Sequence, residues 1–497
     1  MKKRQISSLF FYRHRFLFGY IFLSLIFLAL IFSLPFFALN GLSSAEMSSA
    51  ATSYNLHFSS ITTGDLVDLP YHLVQKVSIL IFGFNAIAIK LPSIIIAILL
   101  GLLLVLLLNR WFKNNVALLS SILTILSTPF LYLAGTGTPL IMLLFWPTVL
   151  LWLGSKIQGI KKPRAIFSLI FAFLLLLSVF TPHMFYLAGF IVIYAFLKPH
   201  LRFTIKNLPR LPFILTSLVV AAGLILLCIN IFSNPSVPAA LFGSEHPELF
   251  WTNLGNTFST LFSWQGLPES TFLAPLISLP VAVLAFLGLL STVHGFFASR
   301  NAIASYFTVF SIVFSGLNPD SIVLLILPIA ILTAHGFRYI LDKWYNLFPT
   351  NPYARVFGLL PLALYLALVL IPGLVHFIYG YHYIPSYSAS LSTDLALIDE
   401  NLPENTILYL ERDADEYDFY EAYEDRHHKI FLTSALPTAE KRAEIVKNSL
   451  NPDFNSNNIQ YFATLGLKED FDAEKLYRII PSPKSDNSDR IYIYNFN

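Results

Sequence analysis

Long apolar runs alternate with short polar breaks over most of the chain. Eleven runs are long enough to cross a hydrocarbon core of about 30 Å, and they lie near residues 16–38, 86–108, 116–134, 138–155, 166–181, 184–198, 212–233, 271–293, 302–317, 321–337 and 356–379. Several are short or poorly separated, so eleven is an approximate number. The pattern predicts an α-helical polytopic membrane protein, with a transmembrane domain over residues 1–379.

The composition supports this prediction. The 497 residues are 56% hydrophobic and 12% charged, against about 25% charged in soluble proteins. The single cysteine, Cys228, excludes an intramolecular disulfide and a multi-cysteine metal site. The net charge of +3 is too small to imply a nucleic-acid partner, because the basic residues are not gathered in one patch. The partner that the composition indicates is the lipid bilayer.

Basic residues sort to one side of the predicted membrane. If the N-terminus is cytoplasmic, 19 of the 21 Lys and Arg residues before residue 380 fall on the cytoplasmic side, as the positive-inside rule requires. Lys76 and Lys90 are the two exceptions. The eight acidic residues of this part are Glu46, Asp65, Asp68, Glu245, Glu248, Glu269, Asp320 and Asp342, and all but Asp342 lie on the outer side. A reaction that uses these carboxylates is therefore expected outside the cytoplasm.

The composition changes after residue 379. Residues 380–497 carry 21 of the 29 acidic residues, and an odd number of spans places them outside the cytoplasm. Short β-rich runs lie at 406–411, 429–434, 459–466 and 490–496, and helical patterns lie at 391–402 and 437–450. This alternation predicts a small extracytoplasmic α/β domain.

Several short motifs follow one another in a characteristic order and spacing over residues 69–155. They are Pro70-Tyr71 at the start of an amphipathic helix, Phe82-Gly83 at its end, Lys90-Leu91-Pro92-Ser93, Arg110-Trp111-Phe112, and Ser127-Thr128-Pro129-Phe130. Together with Glu46 in the first external loop, they resemble the GT-C glycosyltransferases of the protein mannosyltransferase and aminoarabinose transferase type, including the RgtA/B/C/D-like bacterial group. The resemblance covers about the first 200 residues. It implies a polyprenyl-phosphate-linked sugar donor and transfer of the sugar outside the cytoplasm.

The chain departs from this family at two places. The family usually carries adjacent Asp-Glu in the first loop, whereas Ala45 precedes Glu46 here. Relatives often carry Arg where this chain has a turn over residues 135–139, Gly-Thr-Gly-Thr-Pro.

The first external loop, residues 39–85, holds the candidate catalytic acids. Sugar transfer to a hydroxyl or amine needs a base near the acceptor, and the resemblance implies Glu46, which lies among small residues. The alternative is a solvated loop carboxylate. Asp65 and Asp68 are candidates for a second acidic site. They are equally suited to cap the helix that starts at Pro70, and capping is favoured for Asp68.

Lys90 and Lys76 are the candidate ligands of the donor phosphate, because they are the only external cations of the membrane domain. The alternative is snorkelling to the lipid headgroups, which is favoured for Lys76.

A second external loop, residues 234–270, carries candidate substrate contacts. These are His246, Glu245, Trp251 and Trp264, and His72 of the first loop joins them. Tryptophan at this depth is also typical of interface anchoring, and a histidine at a helix end is often only structural.

No metal site is predicted. The acidic run at 411–418 lacks the spacing of a calcium loop and is typical of a solvated face. No cofactor is required, and a divalent cation is not indicated. We expect transfer of a sugar from a polyprenyl-phosphate-linked donor to an extracytoplasmic acceptor, a protein hydroxyl or a cell-envelope glycan or lipid, with Glu46 as base. The alternative is a non-catalytic membrane scaffold that presents its external domain to a partner.

Overall fold

The structure is a computed structural model. It describes residues 15–56, 66–159, 164–197, 199, 202–203, 210–234, 236–243, 249–263, 272–293, 299–347, 353, 357, 359–388, 390–403, 406–410, 416–427, 430–434, 461–465, 476–481 and 489–495. All structural statements below concern these residues.

The part before residue 390 is helical apart from one short strand, β1 (Leu42–Ser43). Its helices are α1 (Arg15–Phe37), α2 (Ser44–Asn55), α3 (Leu69–Phe82), α4 (Ala86–Trp111), α5 (Asn114–Ile125), α6 (Thr128–Gly135), α7 (Ile141–Gly159), α8 (Arg164–Ser178), α9 (Met184–Leu197), α10 (Arg210–Ser233), α11 (Ser236–Phe242), α12 (Phe250–Phe262), α13 (Leu279–Val293), α14 (Ser299–Leu317), α15 (Ile326–Leu347), α16 (Leu359–Tyr383) and α17 (Pro385–Ser388). A 3-10 helix (Pro319–Leu325) leads into α15.

Each of the eleven predicted apolar runs coincides with a helix or a pair of helices. The run at 116–134 is the pair α5 and α6, bent by 61°. The bend follows from Pro129, which occupies the first turn of α6 and cannot continue the hydrogen-bond ladder of α5. The long apolar runs therefore located the helices, and the proline set the break.

Membrane spans are judged here by length and composition. Among the described residues, three helical segments pass this test: α4, the 3-10 helix with α15, and α16; the bent pair of α5 and α6 raises the number to four. Eight shorter apolar helices accompany them. The chain is an integral membrane protein. The number of about eleven crossings stays a prediction, because only three or four described segments pass this test.

A common apolar core joins the long helices, among them α4, α7 and α15. Small residues allow close approach where α13 meets α15. A Cβ added to Gly288 would lie 1.9 Å from Leu332 O, and one added to Gly336 would lie 2.2 Å from Leu284 O. This is the small-residue packing expected between helices in lipid, where there is no hydrophobic drive for association.

α3 is amphipathic. One face is buried against α2 and α4, while the apolar side chains of Val74, Val77, Ile81 and Phe82 are exposed. With 14 residues, α3 is about 21 Å long, too short to cross the hydrocarbon core. A short helix with an exposed apolar face is typical of one that lies in the membrane interface.

The C-terminal part contains a five-stranded mixed sheet in the order β4-β3-β5-β7-β6. Its elements are β2 (Leu391–Ser392), α18 (Asp394–Asn401), β3 (Thr406–Tyr409), α19 (Tyr417–His427), β4 (Ile430–Thr433), β5 (Tyr461–Leu465), β6 (Leu476–Pro481) and β7 (Asp489–Asn495). β3 is parallel to β4 and β5, and β7 is antiparallel to β5 and β6.

The predicted α/β domain is thus confirmed in its strands. The four predicted β-rich runs overlap β3, β4, β5 and β7, and the helical pattern at 391–402 contains α18. β6 was not predicted, and its register with β7 is irregular. The helical pattern at 437–450 lies outside the described residues.

Candidate functional site

Glu46 lies in the first turn of α2 and is completely buried. Ser43 and Glu46 form a reciprocal capping box: the Ser43 hydroxyl accepts from Glu46 N at 3.3 Å, and Ser43 N donates to Glu46 Oε2 at 2.8 Å. The spacing of Ser43 and Glu46 is the sequence signature of this motif. A solvated loop carboxylate, the alternative for Glu46, is therefore wrong.

The other carboxylate oxygen of Glu46 faces the membrane domain. Gly137 N donates to Oε1 at 2.6 Å, and Lys90 Nζ lies 4.0 Å from the same oxygen. Gly137 has no room for a side chain, because an added Cβ would lie 2.8 Å from Ile89 O. The glycine turn after α6 therefore contributes a backbone donor to Glu46.

Lys90 and Lys76 each bond to the carbonyls at the C-terminal end of a helix. Lys90 is 1% exposed and donates to Pro35 O at 3.1 Å and to Leu39 O at 2.6 Å, at the end of α1. Lys76 donates to the carbonyls of Tyr54 and Leu56, at the end of α2. These carbonyls have no partner within their helices, so a cation there stabilises the helix end. Snorkelling, the interpretation favoured for Lys76, does not describe this contact.

Gln75 ties three elements together. Its side chain is fully buried. Oε1 accepts from the hydroxyls of Ser49 at 2.9 Å and Ser53 at 2.6 Å, and Nε2 donates to Ile89 O at 3.1 Å and Gly137 O at 2.9 Å. An amide side chain offers two donors and two acceptor positions, and all four are used. Sequence analysis did not identify Gln75, although a glutamine on the buried face of an amphipathic helix is a usable signal.

Asp68 occupies the N-cap position of α3 but does not cap it. Its backbone is in the left-handed region, at φ 54°, and its side chain makes no capping hydrogen bond. Asp68 N donates to Phe180 O at 2.8 Å, which ties the start of α3 to the end of α8. The prediction that Asp68 caps the helix with its side chain is therefore wrong.

Tyr71 lies close enough to Glu46 and Asp68 to interact with both carboxylates. Burial raises the pKa of its hydroxyl, and the charges of Glu46 and Asp68 raise that pKa further. The phenol therefore stays protonated and forms a hydrogen bond with Ser93 Oγ at 2.8 Å. Glu46, Asp68 and Tyr71 therefore interact electrostatically at one site.

The remaining candidates are scattered. His72 is buried, and its Nδ1 lies 2.8 Å from the Ser53 hydroxyl. Trp251 is 78% exposed on α12. Asp65, Glu245, His246 and Trp264 lie outside the described residues. Among the described residues, no group of three His, Cys, Asp or Glu side chains is arranged to hold a metal ion.

The outward face of α2 carries no carboxylate. Ser44, Ala45, Ser48 and Thr52 are exposed, whereas Glu46 points into the protein. Position 45, where the resembling family usually has Asp, is exposed and is occupied by alanine.

An apolar pocket of about 460 Å³ lies beside the break between α5 and α6. Its lining comes from five places in the fold: the α5–α6 break, the end of α12 at Leu261 and Phe262, residues 272–281, the segment 322–333 and residues 368–376 of α16. The volume falls within the range of about 300–1,000 Å³ typical of ligand sites. Thr128 and Pro129 line the pocket at one end of α6, and Gly137 follows the other end. α6 has eight residues, so about 12 Å of helix separates the pocket from the Glu46 cluster.

Comparisons with known proteins bear on the fold of the chain. The model of the dolichyl-phosphate-mannose-protein mannosyltransferase family matches residues 70–227. No curated protein sequence matches the chain. The structure is similar to that of ArnT from Cupriavidus metallidurans in the apo state, with 14% identity, a TM-score of 0.57, and coverage of 96% of this chain and 98% of ArnT.

The structure is also similar to that of the archaeal oligosaccharyltransferase AglB from Archaeoglobus fulgidus, solved in complex with an inhibitory peptide and a dolichol-phosphate. The identity is 12%, the TM-score is 0.54, and the match covers 92% of this chain and 70% of AglB. At such low identity these matches establish the fold. The chain has the GT-C fold of membrane glycosyltransferases, as the sequence resemblance predicted.

Proposed function

We propose that the protein transfers a sugar from a polyprenyl-phosphate-linked donor to an acceptor outside the cytoplasm. The observation that carries the proposal is the GT-C fold over 96% of the chain. The mannosyltransferase family model, which matches part of the membrane domain, and the dolichol-phosphate bound by AglB support a lipid-phosphate donor. AglB also binds an inhibitory peptide, which supports a protein as acceptor. We propose that a hydroxyl of that protein accepts the sugar; a cell-envelope glycan or lipid is the other acceptor class.

The apolar pocket is the proposed site of the prenyl chain. Its lining is mainly Leu, Ile, Val, Phe and Pro, which suits a hydrocarbon chain entering from the bilayer. α6 leads from this pocket to the turn at Gly137 and so to Glu46. The sugar-phosphate head is then placed at the outer end of the bundle, near α2 and α3. The transfer is proposed without a metal or cofactor.

The direct roles of Glu46 as base, with Asp65 and Asp68 as further acids, and of Lys90 and Lys76 as phosphate ligands remain predictions. The role of Glu46 as base requires that its carboxylate breaks the hydrogen bond from Gly137 N during turnover. The role of Lys90 as phosphate ligand requires that the ammonium leaves the carbonyls of α1. In the arrangement seen here, both side chains position α1, α2 and the Gly137 turn.

The experiment that tests the function uses the full chain in proteoliposomes, a panel of radiolabelled polyprenyl-phospho-sugars, and an envelope extract as acceptor. Label transferred to the extract is the expected result. Glu46→Gln keeps the shape of the side chain but removes the base, whereas Ser43→Ala breaks the capping box and keeps the carboxylate. A base role predicts loss of transfer in Glu46→Gln only, and a positioning role predicts a similar decrease in both.

A non-catalytic membrane scaffold is the second candidate function. It is favoured by Ala45 at the exposed position and by the fully engaged carboxylate of Glu46. It predicts no label transfer with any donor of the panel, and no gain in the thermal midpoint when polyprenyl phosphate is added.

A further inference from the structure

α2 has three faces, spaced as the helical repeat requires. Glu46, Ser49 and Ser53 form a polar face that bonds to the membrane domain. The apolar face consists of Met47, Ala50 and Ala51, which are buried in a core cluster shared with the C-terminal domain. The third face is exposed. α2 is therefore a wall common to the two parts of the chain.

The C-terminal domain packs directly against this wall. Phe84 follows α3 and packs against α19. Its ring centroid lies 5.0 Å from that of Phe419 and 6.4 Å from that of Tyr423. The Tyr54 hydroxyl at the end of α2 donates to Asp425 Oδ2 at 2.5 Å. Aromatic packing and a charge-assisted hydrogen bond thus join α19 to the C-terminal ends of α2 and α3, which meet where the Tyr54 and Phe84 ring centroids are 5.8 Å apart.

A strand pair fastens the other end of α2. β1, which immediately precedes α2, pairs antiparallel with β2, with Leu42 opposite Ser392. Gly41 makes this pairing possible: its φ is +112°, and an added Cβ would lie 2.5 Å from Ser392 O. No other residue type fits this backbone conformation and this approach without strain.

α2 cannot be stable without such supports. It has 12 residues and contains four serines and a threonine, and isolated helices of this length are marginal in water even with good helix formers. Its position is therefore set by the surfaces on either side of it.

We propose that the C-terminal domain is a fixed clamp on α2, and that it positions the Glu46 carboxylate and the Gly137 turn for sugar transfer. The catalytic part of this inference rests on the proposed function. The structural part does not, since it concerns only what holds α2.

Hydrogen exchange tests the structural part on the full chain in nanodiscs. Gly41→Ala loosens the β1–β2 pair and is expected to increase exchange of the α2 amides at least about tenfold, with the α4 amides unchanged. Gly189→Ala is the matched control, because an added Cβ there meets nothing within 4 Å. Unchanged exchange in α2, or equal loss of protection in α2 and α4, would overturn the clamp.

A disulfide tests whether the clamp stays closed during turnover. Opposed residues of an antiparallel pair have Cα atoms about 4.5–5.5 Å apart, within the disulfide range of about 4.4–6.8 Å. Leu42→Cys with Ser392→Cys, in a Cys228→Ser background, is expected to form the bond. A fixed clamp predicts the same kcat in the oxidised and reduced protein. Loss of transfer on oxidation that returns on reduction would show a moving lid instead.

Kinetics connect the clamp to the site. Gly41→Ala is expected to lower kcat while the KM for the lipid donor stays constant, because the pocket proposed for the prenyl chain lies elsewhere. A rise in KM at constant kcat would contradict the positioning role. If the wild-type protein transfers no sugar, the proposed function fails, and hydrogen exchange still decides the clamp.

Discussion

The buried pair of Glu46 and Lys90 gives the most quantitative prediction. Lys90 Nζ lies 4.0 Å from Glu46 Oε1, and both side chains are at most 1% exposed. At this distance the attraction is about 4 kcal/mol for an effective dielectric constant near 20. Burial of the two charges offsets much of that attraction, but removal of one partner leaves the other charge uncompensated, at a cost of about 3–5 kcal/mol.

The perturbation is a double-mutant cycle with Glu46→Gln, Lys90→Met and the double variant. Each single variant is expected to lose about 3–5 kcal/mol of unfolding free energy. The double variant should lose less than the sum by about 2 kcal/mol or more, because no buried charge remains. It should still be less stable than wild type, because the carbonyls of Pro35 and Leu39 lose their donor.

The assay is equilibrium unfolding in mixed micelles, followed by tryptophan fluorescence. Lys113 and Asp342 provide the matched control, since they form an ion pair of 3.7 Å whose side chains are 80% and 44% exposed. The same cycle on that pair should give at most about 1 kcal/mol. If the Glu46 and Lys90 effects add to within about 0.5 kcal/mol, the two groups do not interact and the reasoning fails.

Three further predictions each concern a single residue. Gln75→Met removes the Nε2 donor from Ile89 O and Gly137 O and should cost about 2–4 kcal/mol in the same unfolding assay; a loss under about 1 kcal/mol would contradict its bridging role. Gly373 lines the pocket, and an added Cβ meets nothing within 4 Å, so Gly373→Leu should raise the KM for long-chain donors more than for short-chain analogues, whereas Gly189→Leu should change neither. Burial raises the pKa of Glu424 from 4.5 to about 7; the folded state binds the proton more tightly, so this contribution to stability is complete below pH 4.5 and is lost as the pH rises through 7. Thermal midpoints across that range should show the loss, and Glu424→Gln should flatten the curve.

The local pattern of apolar residues predicted the positions of the helices well, but it predicted the contacts between distant residues poorly. Apolar periodicity located all eleven runs, and Pro129 marks the bend that they did not anticipate. The capping box was readable from the spacing of Ser43 and Glu46. These features depend on residues close together in the chain.

The roles of Lys90 and Gln75 depend on distant residues. Lys90 meets carbonyls 51 and 55 positions away, and Gln75 bonds to a turn 62 positions away. No local pattern encodes such partners. An external lysine was therefore interpreted as a phosphate ligand, although in this fold its ammonium already bonds to a helix end.

The docking of the C-terminal domain was also not predicted. Tyr54 and Asp425 are 371 positions apart, and the small residues of α2 carry no recognisable interface pattern. The sequence predicted a small α/β domain after residue 379, and the structure adds a core cluster that contains residues of both parts.

The most direct test of the central claim is transfer of radiolabel from a polyprenyl-phospho-sugar to an envelope acceptor by the purified protein in proteoliposomes. The account predicts transfer that requires the protein and is weakened by Gly373→Leu. Equal label in protein-free and protein-containing vesicles, for every donor of the panel and with a correctly folded protein, would contradict it.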